Sequence, residues 1–185
     1  MILIFQDYTE SDLITIERQL GSSNLFIKAI TRRCRYGHPK VVLLDPCIKE
    51  NNFDKLNYQA LSNLMWLTCP YLNSKIHNLE NDGYIRKISD FINNDNACQS
   101  FMKAAHANFY FLRNYIYSRY VKNLSDDMPM DLFTRGIGGI RELDTIKCLH
   151  VHFCHYSVYK YNAAGYMTYL LLDRKVDCDD EMCAS

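Results

Sequence analysis

No Cys-x-x-Cys pair occurs in this 185-residue sequence, although it holds eight cysteines, at positions 34, 47, 69, 98, 148, 154, 178 and 183. That scatter excludes the ordinary zinc-ribbon and dithiol redox signatures. No apolar run approaches the roughly 18 residues that a membrane span requires. Net charge is missing too: 21 Lys and Arg balance 21 Asp and Glu, so no global basic field points to nucleic acid or an anionic membrane. The opening Met1-Ile2-Leu3-Ile4-Phe5 has no basic leader and is too short for a signal-peptide core, so the expectation is a cytoplasmic protein with free thiols.

What the chain does have is apolar mass. At 48% hydrophobic residues it can bury a core as one domain over 1–185, with an acidic tail at 175–185. Thr9 or Ser11 caps a helix over 12–20 that ends at Gly21. Leu25 to Ile30, Val41 to Leu44 and Leu64 to Thr68 read as strands, and the polar stretch 46–60 as a loop. Pro70 opens a helix over 71–80, a second covers 84–92, and a long one runs from Asn96 to about Val121. In the long helix Phe101, Ala104, Ala105, Phe109, Leu112, Ile116 and Tyr120 form a core stripe. Ser125 to Asp131 is a turn-rich connection, and Asn162 caps a last helix over 163–174. The fold class is α+β, a small antiparallel sheet in the N-terminal half packed against four or more helices.

Chemistry concentrates at Lys147-Cys148-Leu149-His150-Val151-His152-Phe153-Cys154-His155-Tyr156. Residues 144 to 160 contain neither Pro nor Gly, and Asp144 is a candidate cap for a helix opening at Thr145. On such a helix Cys148, His152, His155 and Tyr159 fall within about 60° of one another, while His150 points elsewhere. A thiol and two imidazoles at that spacing suit a metal or a thiolate–imidazolium pair; the plainer alternative is a buried helix with hydrogen-bonded histidines. Cys69 sits at the start of the helix opened by Pro70, where the macrodipole favours thiolate. Arg32 to Lys40 is the most basic stretch, and Arg33 and Arg35 could clamp a phosphate or carboxylate, though a solvated turn explains the charges as well. Gly136-Ile137-Gly138-Gly139-Ile140-Arg141 could offer backbone N–H groups to an anion beside Arg141 and Lys147, but it is neither a dinucleotide fingerprint nor a P-loop.

Five blocks follow one another: Glu17-Arg18-Gln19-Leu20-Gly21; Arg33 to Pro39; Leu67-Thr68-Cys69-Pro70 with Leu79-Glu80 and Gly83; Gly136 to Arg141; and Lys147-Cys148-Leu149-His150 with His155. In this order they resemble the bacterial domain-of-unknown-function family DUF501, from about residue 10 to about 170. The polar segment 50–62 departs from the pattern. The resemblance implies no activity, but it singles out Cys34, Cys69 and Cys148 from the other thiols.

Three readings follow. In the first, Cys34, Cys69 and Cys148, with His152 or His155, hold zinc or an iron–sulfur cluster beside a pocket for a phosphate- or carboxylate-bearing small molecule at Arg33, Arg35, Gly138, Gly139 and Arg141. In the second, a metal-free thiol enzyme uses Cys69 or Cys148 as nucleophile, His155 as base and Arg33 or Lys147 as anion clamp. The third is a non-enzymatic module that binds protein or, less well suited by the even charge balance, RNA.

Overall fold

Thr9 starts the first helix by a reciprocal cap. Its hydroxyl accepts the Asp12 N–H at 3.2 Å while the Asp12 carboxylate accepts the Thr9 N–H at 2.9 Å. Helix α1 (Glu10–Leu20) then runs to Gly21, which takes the left-handed conformation at φ 64°. The computed structural model describes residues 5–22, 26–50, 53–56, 62–120 and 130–183. Residues Met1–Ile4 and most of the connection expected at 125–131 lie outside them.

Strands β1 (Ile27–Arg33) and β2 (Pro39–Leu44) pair antiparallel across the Cys34–His38 turn. A second, two-stranded ladder joins β3 (Cys47–Glu50) and β4 (Phe53–Leu56). Strand β5 (Met65–Leu67) returns to the free side of β2, giving a three-stranded antiparallel sheet in the order β1-β2-β5. The β3–β4 ladder corrects the reading of 46–60 as loop. Asn-Asn tolerates the positive φ of a tight hairpin connection, so it signals a hairpin as readily as a loop.

β2 is buried along its whole length, and alternation divides its side chains between two cores. Val42 and Leu44 join Ile16 of α1 on one face, and Val41 and Leu43 join the remaining helices on the other. Ile27 and Ala29 belong to different cores despite being two residues apart, because a register shift falls between them.

Five helices cover the second face: α2 (Pro70–Asn81), α3 (Tyr84–Asn93), α4 (Asn96–Tyr120), α5 (Leu149–Tyr159) and α6 (Ala163–Leu171). The α+β class expected from the sequence is the class observed. Ala105, Phe109, Leu112 and Ile116 are fully buried along α4, the larger ones contributing on the order of 2 kcal/mol each. Met102 and Arg113 complete that face; Phe101 is 55% exposed and Ala104 is exposed as well, so they leave the expected stripe. No described helix is long and apolar enough to cross a membrane.

α5 is the central helix, with Leu149 and every residue from Val151 to Tyr156 buried. Its neighbour α6 is capped by Asn162, whose side chain accepts the Gly165 N–H at 2.9 Å. Gly165 lies against α5 so closely that a Cβ there would collide with the His152 carbonyl oxygen and the Tyr156 Cβ. The expected helix over 144–160 begins only at Leu149. Cys148 is its extended N-cap residue at φ −156°, and the chain leaves the helix at Lys160 with φ 64°. The last helix likewise stops before Asp173 and Arg174, both at positive φ.

Candidate metal centre

The start of α5 has orphan N–H groups and the positive end of the helix dipole, and a carboxylate from α2 meets them. Glu80 Oε1 accepts the Leu149 N–H at 2.6 Å. The same oxygen stands 3.1 Å from His150 Nδ1, and Cys148 Sγ is 3.6 Å from that same nitrogen. Among the described residues, Glu80, Cys148 and His150 are the group whose ligand atoms converge within 4.8 Å, and all three are partly buried. His150 Nε2 faces the Asn73 carbonyl oxygen at 3.3 Å. A carbonyl only accepts, so Nε2 donates to it; the Glu80 carboxylate only accepts too, so Nδ1 meets it either as the N–H of a protonated ring or, with the ring neutral, as a lone pair that calls for a cation between them. Burial first, and then the Glu80 carboxylate, push the Cys148 thiol above its ordinary pKa.

A cavity of about 250 Å³ opens beside this group. Cys148, His150, Lys147 and Gly138 line one part of it, and Met65, Trp66 and Leu67 another. Of the residues expected in a site, the structure therefore brings Cys148, Lys147 and Gly138 together, with His150 and Glu80 added.

His152 and His155 lie elsewhere, in a buried set with His106 and Asn162. Asn162 Oδ1 accepts the Gly165 N–H, and the same side-chain amide stands 3.2 Å (Nδ2) and 3.3 Å (Oδ1) from His152 Nδ1 and 3.4 Å (Nδ2) from His155 Nδ1. His155 Nε2 stands 3.0 Å from Asn108 Oδ1, and His106 Nδ1 accepts the Ile137 N–H at 3.1 Å. Burial lowers His106 to about 4 and His152 and His155 to about 3, with repulsion among the rings adding to the latter two. All three are neutral at pH 7. A Cβ on Gly136 would strike the His106 ring, which fixes how closely the glycine-rich turn packs on α4.

The three thiols picked out by the motifs do not converge. Cys69 caps α2 at one end while Glu80 stands near the other, about 16 Å along the axis. Cys69 is also buried, and burial outweighs the helix dipole, pushing its thiol up to about 11. Cys34 sits in the turn between β1 and β2. That turn is clasped by the acidic tail: Lys40 pairs with Asp177 at 3.0 Å, His38 with Glu181 at 2.9 Å, and Tyr36 donates its hydroxyl to the Asp179 carbonyl at 2.6 Å.

The candidate anion-binding arginines have partners as well. Arg33 makes a two-pronged pair with Asp12 at 2.6 and 3.0 Å, which holds that carboxylate well below its ordinary range. Arg35 donates to the Tyr36 hydroxyl at 2.8 Å, and Arg141 pairs with Asp131 at 2.8 Å. The Gly136–Gly139 turn is held from beneath by the fully buried Arg113, which donates to the carbonyls of Arg135 and, at 3.2 Å, Gly136. Gly139 lies against Ser62 rather than on the cavity wall.

Glu80 and His150 both fall within the sequence blocks that carry the family resemblance, yet neither enters the ligand set read from the sequence. The misplaced helix start hid His150, since a residue after an extended N-cap does not follow the helical wheel drawn through Cys148. Glu80 offered no local signal beyond its place in the block.

A family model described as a protein of unknown function (DUF501) matches residues 30–169. No curated protein and no solved structure matches the chain.

Proposed function

The chain belongs to the DUF501 family of proteins of unknown function, and from that premise we propose that it binds a divalent transition metal, zinc foremost, through Glu80, Cys148 and His150. One observation carries the reading. Zinc bonds of ~2.3 Å to sulfur and ~2.0 Å to nitrogen and oxygen, at tetrahedral angles, separate S from N by about 3.5 Å and N from O by about 3.3 Å. The corresponding separations here are 3.6 and 3.1 Å. The Asn73 carbonyl, 3.3 Å from Nε2, holds the ring from behind, as backbone carbonyls do for metal-bound histidines.

Three protein ligands leave a tetrahedral ion one open position, the arrangement of catalytic rather than structural zinc. Cys148 and His150 line the cavity, so an open position between them would face it. A zinc ion held by Glu80, Cys148 and His150 would supply Lewis acidity, and the reaction class that fits is metal-assisted hydrolysis. A donor set of one thiol, one imidazole and one carboxylate suits zinc better than an iron–sulfur cluster.

The same distances argue against a metal-free thiol enzyme. A nucleophile–base–carboxylate relay needs the thiol and the carboxylate on opposite ring nitrogens. Here both address Nδ1.

Cobalt(II) substitution tests the reading. The chain should bind one equivalent and show a sulfur-to-cobalt charge-transfer band that Cys148→Ser removes. Failure of the intact protein to retain zinc or cobalt through gel filtration would refute it.

A further inference from the structure

The cavity beside the centre has a polarity of its own. Among the described residues that line it there is no acidic side chain, and the full cation is Lys147. Lys147 is exposed and makes no ion pair or hydrogen bond among the described residues, unlike Arg33, Arg35 and Arg141. The opposite wall is apolar. It runs along β5, an edge strand of the three-stranded sheet, and is extended by Val151 from α5. Trp66 on that strand also lines the cavity and is 42% exposed. Gly138 closes the floor in a left-handed conformation, φ 77°, that favours glycine and keeps the wall low next to Lys147.

We propose that this cavity binds a small organic anion with an apolar body, its carboxylate or phosphate head at Lys147 and its body along β5 at Trp66. The volume of about 250 Å³ falls below the ~300 Å³ at which drug-sized pockets begin, so the body is a single ring or a short chain. Lys147 serves as a point charge for either kind of head. The inference rests on the metal reading in one respect: an ion held by Glu80, Cys148 and His150 would have its charge balanced by the thiolate and the carboxylate, yet would offer the head a coordination position beside Lys147.

Trp66 is the only tryptophan in the chain, so tryptophan emission comes from a residue that lines this cavity. The full-length zinc-loaded protein is titrated with benzoate, phenyl phosphate, acetate and inorganic phosphate. The expected result is a saturable change in Trp66 emission with a ring-bearing anion, at a concentration at least about tenfold below that of its ring-free counterpart. Lys147→Met, a substitution at an exposed position, weakens that binding about tenfold while leaving the far-ultraviolet circular dichroism unchanged. A preference for benzoate assigns a carboxylate head, and a preference for phenyl phosphate a phosphate head. No response to any of the four, or equal binding by Lys147→Met, overturns the proposal. Metal content measured on the same samples separates the two readings. A protein that holds zinc but ignores the anions loses only the anion site. One that holds no metal yet binds a ring-bearing anion through Lys147 loses only the metal centre.

Discussion

Glu80 Oε1 lies 3.1 Å from His150 Nδ1 while accepting the Leu149 N–H at 2.6 Å, so one carboxylate oxygen both caps α5 and forms a corner of the candidate centre. The two roles separate under substitution. Glu80→Gln keeps an oxygen for the Leu149 amide but removes the charge; it should cost about 0.5–1 kcal/mol of stability and at least about tenfold in zinc affinity. Thermal unfolding and competition with a chromophoric chelator read the two effects. Equal zinc affinity in the variant would remove Glu80 from the ligand set.

Metal affinity should fall as pH falls. The Cys148 proton is held more tightly than in a free thiol, and it must leave before sulfur can ligate. Zinc titrated in weakly buffered solution should therefore release protons, and Cys148→Ser should release fewer. Proton release unchanged in that variant would contradict sulfur ligation.

The buried imidazoles predict acid sensitivity with a definite sign. His106 titrates at about 4 and His152 and His155 at about 3 in the fold, against ~6.5 in an unfolded chain. The folded state favours the neutral rings. Their contribution is complete above pH ~6.5 and is lost as pH falls toward those lower values, at up to ~1.4 kcal/mol per unit per ring. Asp12, held below its ordinary range by Arg33, loses its contribution only at more acid pH. The urea midpoint should thus drop between pH 7 and 4.5, less steeply in His155→Gln. A flat profile over that window would be incompatible with neutral buried histidines.

Gly165→Ala tests the α5–α6 contact. Any side chain there meets the His152 carbonyl and Tyr156, so the helices must part at a cost of about 1–3 kcal/mol. The unfolding midpoint should fall accordingly, while Gly37→Ala, which meets nothing within 4 Å, is governed by backbone strain at φ 88° alone.

The acidic tail should behave as part of the fold. Lys40 is only 7% exposed and relies on Asp177 for its charge partner. Asp177→Asn leaves that ammonium without its counter-charge and should cost about 1–3 kcal/mol. Added salt should scarcely alter this difference, because the pair is shielded from solvent. A loss below ~0.5 kcal/mol in chemical denaturation would place the tail outside the cooperative unit.

Local signals carried much of this architecture. Thr9, Pro70 and Asn162 stand where short-range capping rules put them, and the helices they open were legible residue by residue. The ligand set was less so, for two physical reasons. His150 lies two residues beyond the extended N-cap Cys148, and Glu80, which accepts the Leu149 N–H, belongs to another helix. The arginines illustrate the same limit: Arg33 and Arg141 look like free clamps until the fold supplies Asp12 and Asp131. A sequence shows a charge, but its partner depends on which distant segment arrives beside it.

If α2 tilts about its Pro70 end, Glu80 near the other end is carried with it. Over an arm of about 16 Å, a swing of one degree moves the tip by about 0.3 Å, more than the ~0.2 Å tolerance of a metal–ligand bond. Leu72 and Ile76, both fully buried, clamp the arm along its length. Trimming either to alanine should loosen that support, so the spacing of the candidate ligands depends on two side chains outside the candidate set.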